Sequence, residues 1–328
     1  MKKIWVAGAM AMGLTVGMTT PAWANTQPTI SFPQYIHKLK AQALEEGIPE
    51  SVISRAFKHV KFVESAIQAD KSQPEMKLTL EQYLTRAVPQ WKMDKANRLY
   101  RENYTTLNRI GAEYGVQPKF IVALWGIESN FGQLQGNYSV INALSTLGYE
   151  GRREKFFRHQ LMDALKILEQ EHISPEKMKG SWAGAMGQCQ FMPSSFLTFA
   201  KDGNNDGHIN IWTNKADVFA STANYLKRSG WNDEYTWGRP VRVENSVHSS
   251  WLGTKNSQGR NLSVWRERGV VKENGQPLPN VNIKGWLIQP DGKQSGYYLV
   301  YNNYQTLLKW NRSNYFALAV SRLADSIR

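Results

Sequence analysis

A single cysteine, Cys189, stands in a chain of 328 residues. One cysteine forms no internal disulfide, so the fold must stand on packing or on a bound metal. Past the N-terminal stretch, no segment approaches the roughly 18 consecutive apolar residues that span a bilayer, and the chain does not read as an integral membrane protein. Internal repeats and low-complexity segments are also missing. Acid is scarce against base, with 27 Asp and Glu to 40 Lys and Arg and a formal net charge of +13. A basic chain suits a polyanionic partner such as an envelope polymer, an anionic lipid or nucleic acid, although solubility alone also explains the charge.

The N-terminus has the pattern of an export signal. Lys2 and Lys3 precede a mostly apolar run, Ile4 to Met18, and Ala22-Trp23-Ala24 is a small-x-small cleavage site. No cysteine lies near that junction, which argues against a lipoprotein-type anchor. The mature chain is expected to begin at about Asn25. Removing Lys2 and Lys3 from +13 leaves +11, because Met1 to Ala24 holds no acid. Nucleic acid is the poorest of the three partners for an exported protein. The remaining chain of about 300 residues can bury a full core and divide into two or three parts.

The most informative stretch is Pro118 to Gly132, PKFIVALWGIESNFG. Pro118 suits a first helical turn. Ile121, Leu124, Trp125 and Glu128 follow at i, i+3, i+4 and i+7, one helical face. Asn130 and Gly132 supply the stop. An apolar face that ends in a carboxylate is costly unless the acid is paired or its pKa rises. A Glu kept protonated near neutral pH is what a glycosidic general acid requires. A Glu that pairs with an Arg or a helix end and only holds the fold is the other reading, and the helix alone leaves both open.

Elsewhere, Ser31 to Ala43 reads as an amphipathic helix with Ile36, Leu39 and Ala43 on one face. Gly47-Ile48-Pro49 breaks it before a second helix through Phe57, and Pro74 lies in a polar linker. Leu78 to Tyr114 is helical, punctuated by Tyr83, Pro89 and Trp91. Tyr138 to Leu147 precedes a turn at Gly148 to Gly151. Arg152 and Arg153 then open a helix with a stripe of Phe157, Leu161, Ala164, Leu165 and Leu168. Two arginines at a helix start oppose its dipole, so either an acidic ligand or plain solvation accounts for them.

Ser181 to Pro193, SWAGAMGQCQFMP, is a Gly-rich loop whose Gln188 and Gln190 could wall a sugar or simply pack. In Asp202 to Asp217, Asp202, Asn204 and Asp206 occupy loop positions one, three and five. Gly207 stands at six and His208 offers a carbonyl at seven, the register of an EF-hand calcium loop. Position twelve is Thr213 rather than Glu, and Asp217 could close a longer loop. A lone loop of this kind suggests a structural ion. From about Gly238 to Val300, short runs at Val241–Val243, Asn261–Trp265, Asn282–Ile288 and Tyr297–Val300 read as strands between turns. Ser313 caps a last helix carrying Phe316, Val320 and Leu323.

Taken together, residues 123–132, 181–193, 202–217 and the tail at 310–315 resemble the lytic murein transglycosylase B family, glycoside hydrolase family 103, over essentially all of the chain from about residue 30. The resemblance implies a mainly α fold: a lysozyme-like helical core with an N-terminal helical domain, an EF-hand-like loop and a small β insert. The expected division is a signal peptide at 1–24, a helical domain at 25–95, a core at 96–237, a β domain at 238–300 and a return to the core at 301–328. The implied activity is cleavage of the β-1,4 bond between N-acetylmuramic acid and N-acetylglucosamine in peptidoglycan without water, leaving 1,6-anhydromuramoyl ends. The family's catalytic glutamate falls on Glu128. Its substrate-binding residues fall on Tyr83, Ser129, Arg152, Arg153, Ser181, Gln190, Phe191, Asn311 and Tyr315, and its calcium ligands on Asp202, Asn204, Asp206, His208 and Asp217. Trp310 stands where the family commonly has Tyr.

The implied protein is a soluble periplasmic monomer, with no catalytic cofactor, a structural Ca2+, glycan strands and cell-wall synthesis complexes as partners, and no nucleic acid. A hydrolytic lysozyme on the same fold, a non-catalytic calcium-stabilised wall-binding protein and a calcium sensor are the rival readings.

Overall fold

The computed structural model describes residues 30–72 and 78–328. The export signal at 1–24 and the linker at Pro74 therefore lie outside the described residues. In chain order the helices are α1 (Phe32–Glu45), α2 (Glu50–Phe57), α3 (Glu64–Lys71), α4 (Leu80–Ala87), α5 (Gln90–Glu102), α6 (Tyr104–Tyr114), α7 (Pro118–Ser129), α8 (Val140–Glu150), α9 (Glu154–Glu169), α10 (Pro193–Phe199), α11 (Lys215–Arg228), α12 (Leu262–Glu267), α13 (Asn302–Trp310) and α14 (Asn314–Asp325). The strands are β1 (Tyr138–Ser139), β2 (Lys179–Gly180), β3 (Gly238–Val243), β4 (Arg260–Asn261), β5 (Val270–Lys272), β6 (Lys284–Ile288) and β7 (Tyr297–Val300). No described helix is long and apolar enough to cross a membrane. The chain forms two compact units, one of residues 78–127 and 225–328, the other of residues 30–72 and 128–224. It passes from one to the other inside α7, after Ile127, and inside α11, after Asn224.

The unit of residues 30–72 and 128–224 is helical. Ser31 caps α1 through a reciprocal box with Gln34, and Ile36, Leu39 and Ala43 are its buried face. Phe157, Leu161, Ala164, Leu165 and Leu168 of α9 are all buried, and α8 packs along α9. Helix α8 is longer than the sequence suggests. Gly148, Tyr149 and Glu150 stay helical, and the chain turns only at Gly151, with φ +95°. A Cβ on Gly148 would stand 2.8 Å from the Tyr35 hydroxyl, so the bare backbone there is a packing surface for α1 rather than a turn. A short antiparallel pair sets Tyr138 opposite Gly180 and Ser139 opposite Lys179.

The other unit joins helices to an antiparallel sheet in the order β4-β6-β7-β3-β5. Val241, Leu262, Trp265, Val270, Leu287 and Leu299 form its core. The run Asn261–Trp265, expected as a strand, is the end of β4 followed by α12. Leu262 and Trp265, one helical turn apart, are both fully buried, and the Trp265 indole N–H donates to the Gly285 carbonyl at 2.9 Å. Tertiary burial at i, i+3 thus overrides the β propensity of Val264 and Trp265. Ser313 accepts the Phe316 N–H at 3.3 Å to start α14, whose Phe316, Val320 and Leu323 are buried.

Candidate active site

Helix α7 carries Glu128 in its last turn. Phe120 to Trp125 are buried almost without exposure, which anchors the helix, while Glu128 is half-buried. Ser129 is fully buried. Its hydroxyl accepts the Gly132 N–H at 3.0 Å, and its carbonyl accepts the Leu134 N–H at 2.8 Å. Between these bonds the chain reverses through three consecutive left-handed residues, Asn130 (φ 50°), Phe131 (φ 60°) and Gly132 (φ 82°). For the two that carry a Cβ this conformation costs about 1–2 kcal/mol each. Phe131, 6 % exposed, offsets part of that by burial.

Glutamine amides hold the reversed turn. Gln135 Nε2 donates to the Gly132 carbonyl at 2.9 Å and the Trp212 carbonyl at 3.1 Å. Gln188 Nε2 donates to the same Trp212 carbonyl at 2.9 Å, and Gln190 Nε2 to the carbonyls of Gln135 (3.1 Å) and Gly187 (2.8 Å). The Gly-rich loop is thereby stitched to the turn after Glu128. Ser181 closes the loop, its hydroxyl accepting the Ala185 N–H at 3.1 Å, and Met186 and Phe191 exchange backbone hydrogen bonds. Phe191 is 3 % exposed, so little of its ring is open to a ligand. Cys189, in the same loop, is buried, and burial pushes its thiol up to about 12. The Thr222 contact partly opposes that shift, and the charges of Glu128 and Asp217 add to it. Such a thiol is no nucleophile at neutral pH.

Arg152 and Arg153 converge on Asp70 of α3. Arg152 Nη2 bonds Asp70 Oδ2, and Arg153 Nη2 lies 2.9 Å from Asp70 Oδ1. The Asp70 side chain is 6 % exposed, the two guanidinium side chains 44 % and 39 %. The Arg153 guanidinium also lies 4.7 Å over the Phe157 ring. One carboxylate serves two cations, so a net positive, half-exposed fork remains at the start of α9. Asp70 also answers the unfavourable placement of two arginines beside a helix N-terminus.

The remaining substrate-binding candidates belong to the other unit. Tyr83 of α4 and Tyr315 of α14 pack with ring centroids 5.5 Å apart. Burial and then the neighbouring Asp291 raise the Tyr315 phenol, and Asp291 Oδ2 accepts the Leu80 N–H at 3.0 Å, at the start of the helix that carries Tyr83. Asn311 is buried and its Oδ1 accepts the Ser313 N–H at 3.1 Å. Trp310 is buried with its ring centroid 4.6 Å from that of Tyr225.

The loop 202–217 is tightly wound. Asp202 Oδ1 accepts the N–H groups of Asn204 (3.2 Å), Asn205 (2.7 Å) and Asp206 (3.3 Å), and Oδ2 that of Gly207 (2.8 Å). Asp206 Oδ1 accepts the His208 N–H at 2.9 Å, and Asn204 Nδ2 donates to Asp206 Oδ2 at 2.9 Å. Asp217, fully buried, accepts Gly203 N–H (2.8 Å) and Asn210 N–H (2.7 Å), closing the loop. Its carboxyl is pushed up by burial and by the charges of Asp202 and Asp206, against those two backbone bonds. Among the described residues no group of three or more His, Cys, Asp or Glu converges as a metal cluster. The donors are nonetheless hard oxygens at EF-hand spacing, with Gly207 at φ +86° where the loop turns sharply, a set chemically matched to calcium.

A transglycosylase SLT domain matches residues 31–325. The chain belongs to that family. A curated relative, the membrane-bound lytic murein transglycosylase B of Escherichia coli K12, is 34 % identical over 222 residues, 67 % of this chain. The match spans 60 % of that relative's length. Among solved structures, SltB3 of Pseudomonas aeruginosa in complex with NAG-anhNAM-pentapeptide superposes with a TM-score of 0.86 at 39 % identity, covering 90 % of this chain and 79 % of that one. The lytic transglycosylase Slt35 of Escherichia coli in complex with calcium gives a TM-score of 0.74 at 27 % identity, covering 90 % and 91 %. The mainly helical, lysozyme-like fold with small sheets that the resemblance implied is what the structure has.

For this SLT-family chain, sequence reasoning missed Asp70, Gln135 and Asp291. Asp70 and Asp291 lie in unremarkable polar surroundings, far along the chain from the groups they serve. Gln135 follows Glu128 by seven positions, and its contact with the Gly-rich loop spans 55 positions, so no local signal marked it.

Proposed function

We propose that the protein is a lytic transglycosylase that cleaves the β-1,4 bond between N-acetylmuramic acid and N-acetylglucosamine, with Glu128 as acid and then base. The observation that carries this reading is a half-buried glutamate at the end of a buried helix, held beside the Gly-rich loop in a chain of the SLT family. The relative named as a murein transglycosylase and the SltB3 complex with an anhydro-sugar peptide support the substrate class and the non-hydrolytic outcome.

In this mechanism the Glu128 carboxyl gives its proton to the glycosidic oxygen as the C1–O bond breaks. The muramic C6 hydroxyl oxygen then bonds to C1, and its proton passes to the Glu128 carboxylate. No water enters, and the enzyme returns to its starting state. Several acids of the unit that holds Glu128 have other work: Asp70 holds two arginines, Glu154 pairs with Arg158, Asp163 with Lys166, and Asp217 closes its loop. A single acid suits a transglycosylase better than a hydrolase, which needs two at set separations.

Arg152 and Arg153 would meet lactyl or peptide carboxylates. Ser181, Gln190 and the small exposed edge of Phe191 would contact sugar from the loop, with Ser129 shaping the turn behind it, and Tyr83, Asn311 and Tyr315 would be further sugar contacts. Asp202, Asn204, Asp206, the His208 carbonyl and Asp217 would hold a structural Ca2+, a reading supported by Slt35 in complex with calcium. The residues at 1–24 would direct export to the periplasm.

The test is digestion of purified sacculi by wild type and Glu128→Gln, with mass spectrometry of the fragments. Anhydro ends, lighter by one water, and a loss of at least about 100-fold in the variant are expected. Hydrated ends alone would make the protein a lysozyme-type hydrolase, and an unchanged variant would remove Glu128.

A further inference from the structure

The turn that follows Glu128 depends on a side chain the proposed chemistry leaves idle. Gln188 is 6 % exposed, and its amide fills the space that Gly132 leaves by lacking a Cβ. A Cβ on Gly132 would stand 2.7 Å from Gln188 Cδ and 3.3 Å from Cγ. The Gln188 backbone N–H donates to the Ile211 carbonyl at 2.8 Å and its Nε2 to the Trp212 carbonyl at 2.9 Å. The wedge is thus fixed at both ends to the 211–212 segment, and the same Trp212 carbonyl receives Gln135, which also grips the Gly132 carbonyl. Three successive left-handed residues, two of them with side chains, are costly to hold, so the contacts around them must set their course.

We infer that Gln188 is a positioning residue for Glu128. Its amide sets the 130–132 turn, and the turn sets where the last residues of α7 stand against the Gly-rich loop. The inference rests on Glu128 being the acid–base group. A hydrocarbon of the same size would fill the space next to Gly132 but could not hold the Trp212 carbonyl. The hydrogen bond and the packing are therefore separable, and a displacement of about 1 Å at the acid can cost 100-fold in rate.

The experiment uses the full chain with four variants: Gln188→Ala, Gln188→Met, Gly132→Ala and Gly132→Ala/Gln188→Ala. Each is measured for kcat, KM and the pH dependence of kcat on glycan strands, and for thermal stability. Gln188→Ala is expected to lower kcat by about 10- to 100-fold, with KM changed less than about 3-fold and the pH limb of kcat displaced. Gln188→Met, which fills the space without donating, is expected to fold like wild type yet keep the lowered kcat. Gly132→Ala is expected to lose stability through the clash, and the double variant to regain most of that loss, short of the part due to the left-handed backbone.

Wild-type kcat and pH profile in Gln188→Ala would overturn the inference, as would full kcat in Gln188→Met. A double variant no more stable than Gly132→Ala would do the same. Should Gln188→Ala fail to fold, Gln188→Met still decides. Full activity in Glu128→Gln would instead remove the reading of Glu128 itself.

Discussion

Asp70→Ala separates a structural fork from an ordinary surface pairing. The acid is nearly buried while its two arginines are about half exposed, so neither limiting case applies. Deleting one partner of a buried pair costs about 3–5 kcal/mol, whereas an exposed pair is worth about 0–1 kcal/mol. Here the loss works out between them, about 2 kcal/mol, because the orphaned guanidiniums regain water on their exposed sides but repel each other across adjacent residues. At roughly 2–4 °C per kcal/mol, Tm should fall by about 4–8 °C. Asp70→Asn keeps the shape and one acceptor without the charge and should lie about midway. The assay is thermal unfolding of the three proteins at about 0.05 M and 1 M salt, where the screening length falls to about 3 Å. A buried carboxylate is weakly screened, so more than half of the Asp70→Asn gap should survive at high salt. Asp70→Ala within about 0.5 kcal/mol of wild type, the usual span of a neutral surface change, or a gap that closes in high salt, would refute the reasoning.

Further outcomes follow from other parts of the molecule. Trp265→Ala should destabilise by about 3–5 kcal/mol, seen in thermal melts, since the indole is fully buried in the β-sheet core and donates to Gly285. Cys189 should resist thiol reagents at pH 8 until the protein unfolds. Its thiol is raised from 9.0 to about 12, so the native state keeps a proton that the unfolded chain loses, and stability falls as pH rises through 9. That alkaline slope between pH 9 and 10 should be shallower in Cys189→Ala. Calcium at 100 times its Kd should raise stability by about 2.7 kcal/mol, a chelator should reverse the gain, and Asp202→Ala should show no response to either.

The helices were legible because their causes are local. Ser31 with Gln34 and Ser313 with Phe316 mark helix starts, and the 161–168 stripe marks a buried face in the order of residues itself. Gly148 misled because a glycine reads as a turn whether it bends the chain or makes room for Tyr35; only the neighbour decides. Asn261–Trp265 misled for the same reason, since five residues of mixed propensity take the form that buries Leu262 and Trp265. Within the candidate site, Glu128 and the arginine pair were visible by type and spacing. What holds the arginine pair was not, because Asp70 reaches Arg152 across 82 positions, and the same kind of separation hid Asp291, which reaches Leu80 across 211. Such contacts leave no periodicity behind.

Local rules fail in this chain where the proposed chemistry is placed. Five described residues other than glycine have left-handed backbones: Asn130, Phe131, Glu171, Gln190 and Asn205. Two follow the Glu128-Ser129 end of α7, one lies in the Gly-rich loop and one in the Asp/Asn loop, so only Glu171 falls outside a candidate site. Asn130 adds a second cost, a buried Oδ1 without a hydrogen-bond partner. Conformations of this kind persist only where surrounding contacts over-determine them. Next to Glu128 that support is visible: the Ser129 hydroxyl on Gly132, the paired amides of Gln135 and Gln188 on one carbonyl, and Gln190 on Gln135. A sequence optimised for stability alone would place glycine at 130 and 131 and leave the turn loose. Retaining side chains there makes the turn stiff, and a stiff turn is what a group that must give up and recover the same proton at one bond requires.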